Sequence, residues 1–254
     1  DSSVTGVQTC ALPISATHEA IRGPNTFAPA LAAIKTFVAS GAHTLVSMVV
    51  HAGNVAEIPA FLHLAQRLKV NEARFITVKR LGRGDAFTRP NFASLCKQVV
   101  ELVEEEPELG TLLGRDYVSI LAQTCQRCGP RTGCGTGSQT LLLDADGSIY
   151  PCPNLALPQF AAGNITTARP ADLWQHSAVL SEVREKVQFG ERHGCGECFL
   201  RHWCLGGCRG ETYALTGDLS ARSPACGANR KAVLEMFWTL SSHPGLLQAG
   251  RRYC

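Results

Sequence analysis

Residues 195–208 read Cys195-Gly-Glu-Cys198-Phe-Leu-Arg-His-Trp-Cys204-Leu-Gly-Gly-Cys208, and Cys226 follows after seventeen further residues. The five thiols are therefore separated by two, five, three and seventeen residues. Short, uneven spacings of this kind are typical of thiolates that ligate a metal centre, because close pairs grip one side of it and remote residues complete the shell.

Two more cysteines lie upstream, on either side of a predicted hairpin. Residues 140–143 and 148–150 are apolar strands, and Gly147 can adopt the positive φ that the turn between them requires. This hairpin would bring Cys134 and Cys152 together. The seven cysteines then follow the order C-x12-G-x4-C, C-x2-C-x5-C-x3-C and a last C.

Length and composition narrow the function classes. The chain has 254 residues, 45% of them hydrophobic, and a net charge of +3. It can bury a core, and neither its charge nor any basic run indicates nucleic acid or a membrane surface. Since no apolar run approaches the ~18 residues of a membrane span, we expect a cytoplasmic protein.

The distribution of cysteines also argues against a disulfide framework. Of the twelve cysteines, most lie between residues 125 and 226, and only Cys10 and Cys96 precede them. Such crowding favours a metal module beside an ordinary α/β segment. On spacing alone, iron–sulfur is favoured over zinc, because structural zinc usually takes two C-x2-C pairs and only one is clear within the seven-cysteine motif.

The segment before residue 107 has the rhythm of βα units. The spacing predicts helices over residues 27–40, 54–68 and 91–106, and strands over residues 45–50 and 74–79. We expect the first strand to be an exposed apolar edge, because too few strands precede it. Residues 1–15 resemble the translation of a sequencing adapter and are set aside as a suspected artefact.

Residues 107–127 are a predicted linker. Helices are expected around residues 171–176, up to residue 187 and over residues 228–240. Cys96 fits a small core residue, and no partner is evident for Cys254.

The cysteine pattern resembles the SPASM domain, a C-terminal extension of many radical S-adenosylmethionine (SAM) enzymes that modify peptides and proteins. The resemblance implies an α/β fold with the C-terminal part of an incomplete (β/α) TIM-type barrel at residues 16–106. A small cysteine-rich SPASM domain with a hairpin and short helices would follow at residues 128–240, and residues 241–254 would be a tail.

The resemblance further implies two auxiliary 4Fe-4S clusters held in an interleaved way. The first would use Cys128, Cys134, Cys152 and Cys208, and the second Cys195, Cys198, Cys204 and Cys226. Cys125, three residues before Cys128, competes for the first of these positions.

The family's radical chemistry also needs a third 4Fe-4S cluster on a C-x3-C-x2-C loop, which binds S-adenosylmethionine. That triad is absent from the sequence, so we expect it in a longer parent enzyme and expect this chain to be inactive alone. The resemblance implies a peptide or protein substrate and an electron donor such as flavodoxin or ferredoxin. Pro153 stands where sulfatase-maturing members carry an aspartate, which disfavours that activity.

Two other functions stay open from the sequence. The chain could derive from a haem-pathway radical SAM enzyme, since such enzymes carry comparable extensions. It could also be a stand-alone electron-transfer or zinc-stabilised binding module, a class that metal analysis separates from the first.

Overall fold

The computed structural model describes residues 8–10, 15–113, 133–188 and 194–243. The chain divides into two compact units. Unit 1 comprises Asp1–Cys128 with Leu234–Cys254, and unit 2 comprises Gly129–Val233.

Unit 1 is a mixed α/β layer, in which an additional strand and helix precede the predicted series of helix, strand, helix, strand and helix. Its elements are β1 (Gln8–Cys10), α1 (Ser15–Arg22), α2 (Phe27–Ala39), β2 (Leu45–Val50), α3 (Ile58–Arg67), β3 (Glu72–Thr77) and α4 (Phe92–Glu105). The three strands form one parallel sheet in the order β1-β2-β3, with Leu45 opposite Glu72.

The strand β2 was expected to be an exposed edge, and this expectation is wrong. Within residues 1–15, which carry no strand periodicity, Gln8–Cys10 pair with Leu45, Val46 and Ser47. This places β2 between two partners, and all its residues except Val49 are buried. Burial on both faces explains its continuous apolar sequence.

The predicted helix stripes form the core of unit 1. They comprise Ile58, Phe61, Leu62 and Ala65 of α3 and Leu95, Val99, Leu102 and Val103 of α4, all of them buried. In the segment expected to be a linker, Pro107–Leu112 form a 3-10 helix whose Leu109 is fully buried in this core.

Unit 2 consists of short elements around two small apolar clusters. Its elements are β4 (Leu142–Leu143), β5 (Ser148–Tyr150), β6 (Gly163–Asn164), α5 (Pro170–His176), α6 (Ala178–Val187), α7 (Arg201–Cys204), α8 (Arg209–Thr216) and the start of α9 (Cys226–Ser241). The three strands pair antiparallel, so the predicted hairpin is confirmed and gains a third strand. Across the described ranges, none of the helices has the length and hydrophobicity needed to cross a membrane.

Candidate metal centres

The hairpin delivers Cys152 to the interior of unit 2. Gly147 adopts φ +86° in the turn, and a Cβ there would lie 2.8 Å from Asn164 Oδ1, so the position favours glycine. Two residues beyond β5, Cys152 is buried in an apolar cluster that Cys134 also contacts. Burial raises the pKa of the Cys152 thiol, and hydrogen bonds from the Thr136 side chain and the Asn154 backbone oppose this rise.

Cys208 joins these two thiols at the start of helix α8. Its sulfur caps the helix, accepting from the backbone N–H of Glu211 at 3.5 Å. The Cys208 sulfur also accepts a hydrogen bond at 3.3 Å from Nδ2 of Asn154, a residue that lies two positions after Cys152. Both Cys134 and Cys208 interact electrostatically with Cys152, and these three form what we call the first thiol group.

The second thiol group consists of Cys195, Cys198, Cys204 and Cys226. All four line one pocket of about 260 Å³. Cys195 and Cys198 share a tight turn, in which the Cys198 N–H donates to the Cys195 carbonyl at 3.1 Å. Cys204 ends α7 and Cys226 begins α9, so three separate backbone segments meet at the pocket.

A left-handed loop supports the Cys204 sulfur. Leu205, Gly206 and Gly207 adopt φ values of +54°, +74° and +76°. The helix α7 ends at Cys204 and Leu205 is left-handed, and this change from right-handed to left-handed backbone makes an anion-binding nest. The N–H groups of Gly206 and Gly207 donate to Cys204, although burial still raises the pKa of its thiol.

The donor set and the space fit an iron–sulfur cluster. The pocket of about 260 Å³ is larger than a single zinc ion with four sulfurs at ~2.3 Å requires. In the ranges described, no three His, Cys, Asp or Glu side chains converge closely enough to hold a single ion. We therefore define the two groups by their shared pocket and their electrostatic contacts.

Two arginines lie near the cysteine thiols. The exposed Arg222 forms a hydrogen bond with Cys226, and this contact raises the pKa of Arg222. Cys195 and Cys198 also raise it. Arg209 follows Cys208 directly and is buried. Sequence reasoning missed Asn154, Thr136 and Arg209, because only their positions near ligand cysteines distinguish them.

The remaining predictions for individual cysteines divide into two sets. Cys96 is 5% exposed in the core of unit 1, and burial raises its pKa to about 12, which confirms the core interpretation. Cys125, Cys128 and Cys254 lie outside the described residues. In the described part of the chain, the seven motif cysteines and Cys96 are free thiols.

Comparisons with known proteins also indicate an iron–sulfur cluster-binding domain. The sequence model of the SPASM family, described as an iron-sulfur cluster-binding domain, matches residues 134–199. The chain is 28% identical over 214 residues to the mycofactocin maturase MftC of Mycobacterium ulcerans, covering 82% of this chain and 57% of the relative. It is also 28% identical over 209 residues to a PqqA peptide cyclase of Methylobacterium nodulans, covering 80% and 53%.

A weaker match is an AdoMet-dependent heme synthase of Methanosarcina barkeri, with 24% identity over 83% of this chain and 63% of the relative. The chain thus spans little more than half the length of the first two relatives.

Structural similarity extends over nearly the whole chain. A solved structure described as native anSMEcpe with bound AdoMet aligns with a TM-score of 0.69 over 97% of this chain and 68% of that one. Its 17% sequence identity supports the fold alone. Residues 134–199 therefore match the SPASM family, an iron–sulfur cluster-binding domain, and the chain as a whole is similar in sequence and in fold to radical SAM/SPASM enzymes.

Proposed function

We propose that the cysteines between residues 128 and 226 bind two 4Fe-4S clusters. The first would be held by Cys134, Cys152 and Cys208, with Cys128 as the fourth ligand from the sequence spacing. The second would be held by the second thiol group. One observation carries this proposal: Cys208 contacts the first thiol group, whereas Cys204, only four residues earlier, lies with the second.

The protein's residues would hold, insulate and polarise the clusters. Bound clusters would supply one-electron transfer. Asn154 and the N-terminus of α8 direct N–H groups at Cys208. The nest at Gly206 and Gly207 does the same for Cys204. Hydrogen bonds to ligand sulfurs favour the reduced, more negative cluster.

At the level of the whole protein, we propose maturation of a ribosomally made peptide. The names of two relatives, a maturase and a peptide cyclase, support this class. The complete protein would then need S-adenosylmethionine with its own third cluster, a peptide substrate and a flavodoxin- or ferredoxin-like electron donor. The free thiols of unit 2 fit a reducing compartment such as the cytoplasm.

Metal loading tests the cluster proposal. We expect anaerobic reconstitution of the chain to give about eight irons and a matching amount of sulfide. Cys204→Ser should remove one cluster, and Cys96→Ser should remove none, because Cys96 lies in unit 1. Stoichiometric zinc with no iron uptake would favour the binding-module alternative and exclude the proposal.

A second experiment tests the peptide proposal. The complete gene would be co-expressed with short peptide genes beside it, and each peptide would be examined by mass spectrometry. Loss of hydrogen from one peptide is the expected result. Unmodified peptides together with porphyrin conversion would instead favour the haem-pathway alternative.

A further inference from the structure

Arg209 is the largest fully buried side chain of the described residues, with 2% of its surface exposed. Its Nη1 donates to the carbonyl oxygens of Leu219 at 3.2 Å and Ala221 at 2.9 Å, and its Nη2 donates to that of Gly206. Its Nε is buried with no hydrogen-bond partner among the described residues. An unmatched N–H of a buried cation is costly, so this site calls for a further partner.

The missing partner is negative, because no other group among the described residues balances the charge. Within the described residues, no carboxylate forms an ion pair with Arg209, and its three acceptors are neutral carbonyls. Burial lowers the pKa of Arg209, and the nearby thiols of Cys134, Cys195, Cys208 and Cys204 oppose that change. These four thiols come from both groups, two from each.

We infer that Arg209 is the shared counter-charge of the two clusters, a positioning residue that raises the reduction potential of both. A cluster with four thiolates carries net negative charge, and reduction adds one more electron without forming or breaking a bond. A fixed buried cation near both therefore favours both reduced states. The inference rests on the proposed binding of two clusters.

The competing explanation is that Arg209 only ties backbone carbonyls together. Arg184 provides a matched control for that role in the same unit. It donates from Nε to the Gly137 carbonyl and from Nη2 to the Trp174 carbonyl, both at 2.6 Å, and its guanidinium lies 4.6 Å from the Trp174 ring. It therefore ties backbone segments together as Arg209 does, through Gly137 in the stretch between Cys134 and Cys152 and through Trp174 outside it.

The test is a redox titration with dithionite, followed by electron paramagnetic resonance, on the reconstituted full chain. The variants are Arg209→Gln, Arg209→Lys, Arg184→Gln and Arg222→Gln. At a fixed potential, Arg209→Gln should lower the reduced fraction of both clusters about tenfold, which is ~59 mV for one electron. Arg209→Lys, which keeps the charge, should shift both less.

The controls separate charge from structure. Arg184→Gln should lower the melting temperature and leave both potentials unchanged. Arg222→Gln should affect only one cluster, and weakly, because Arg222 is exposed and contacts the second thiol group alone.

Each outcome decides the inference. Unchanged potentials in Arg209→Gln overturn the inference. Equal loss of clusters in Arg209→Gln and Arg209→Lys also overturns it, because the hydrogen bonds to the carbonyl oxygens, and not the charge, would then hold the clusters. Loss of clusters in Arg209→Gln but not in Arg209→Lys or Arg184→Gln supports it. A wild-type chain that takes up no iron overturns the proposed function and this inference together, whereas two clusters with unshifted potentials overturn the inference alone.

Discussion

A close backbone approach beside the first thiol group lies at Gly210. This glycine is buried in the first turn of α8, directly after Arg209. A Cβ placed on it would lie 2.5 Å from both the Cβ and the carbonyl oxygen of Asn154. Ordinary carbon contacts are ~3.5–4.0 Å, and a backbone oxygen cannot rotate away. Gly210→Ala should therefore push α8 from the segment that follows Cys152.

The free energy of this change has opposing parts. Alanine favours a helix over glycine by up to ~1 kcal/mol. Overpacking costs about 1–3 kcal/mol, and the displaced Asn154 would lose its bond to Cys208, worth ~0.5–1.5 kcal/mol. The steric part exceeds the propensity gain, so we expect a net destabilisation of about 2 kcal/mol, within ~0.5–3.5 kcal/mol.

Gly227→Ala is the matched control. Gly227 lies in the first turn of α9, and a Cβ there meets nothing within 4 Å. The substitution should stabilise the protein by up to ~1 kcal/mol. The two variants, identical in chemistry, should therefore differ in sign.

The assay must report unit 2 alone, because a chain of two units need not unfold in one step. Hydrogen exchange of the α8 amides in increasing urea isolates that opening reaction. Iron content after reconstitution should fall in Gly210→Ala and stay unchanged in Gly227→Ala. A Gly210→Ala protein as stable as the wild type, beside a stabilised Gly227→Ala, would refute the close approach.

Three further predictions use other residues. Cys128→Ala should lower the iron content from about eight to about four per chain, and Cys125→Ala should leave it unchanged; the reverse result would move the ligand to Cys125. Asn154→Ala removes an N–H bond to the Cys208 sulfur, so one cluster should become harder to reduce in a potentiometric titration, and two unchanged potentials would contradict this. Burial raises the pKa of Cys96 from 9.0 to about 12, so the folded state keeps a proton that the unfolded chain loses. In urea unfolding, the free energy of unfolding should fall as pH rises from 9.0 towards about 12, and it should fall by ~1.4 kcal/mol more per pH unit than in Cys96→Ala. Parallel pH profiles of the two proteins would contradict this prediction.

The regular part of the fold could be predicted because burial is uniform there. In α3 and α4 the apolar positions recur at helical spacing and all face one core, so sequence and structure agree. The strand β1 shows the limit of this reasoning. Gln8–Cys10 carry no strand pattern and pair through their backbone with the apolar strand β2.

Helix α8 was missed for a different physical reason. Its buried residues are Arg209, Gly210, Glu211 and Thr212, so its inner face is polar. A search for an apolar stripe cannot detect such a helix, because its burial depends on hydrogen bonds and nearby thiols. The cysteine spacing indicated a metal centre, but the contacts of Asn154 and Arg209 arise only when separate segments meet.

Three successive residues explain how the two proposed metal centres can share one short loop. Cys208 supplies a sulfur to the first thiol group and caps α8. Arg209 binds the carbonyl oxygens of Gly206 and Leu219, which fixes the loop leading from Cys204 against the end of α8. Gly210 then packs α8 onto the segment after Cys152. Because the chain between Cys204 and Cys208 is only three residues long, neither thiol group can shift without straining the other. Disorder introduced at one centre should therefore reach the other through the backbone, and cluster binding at either should order both.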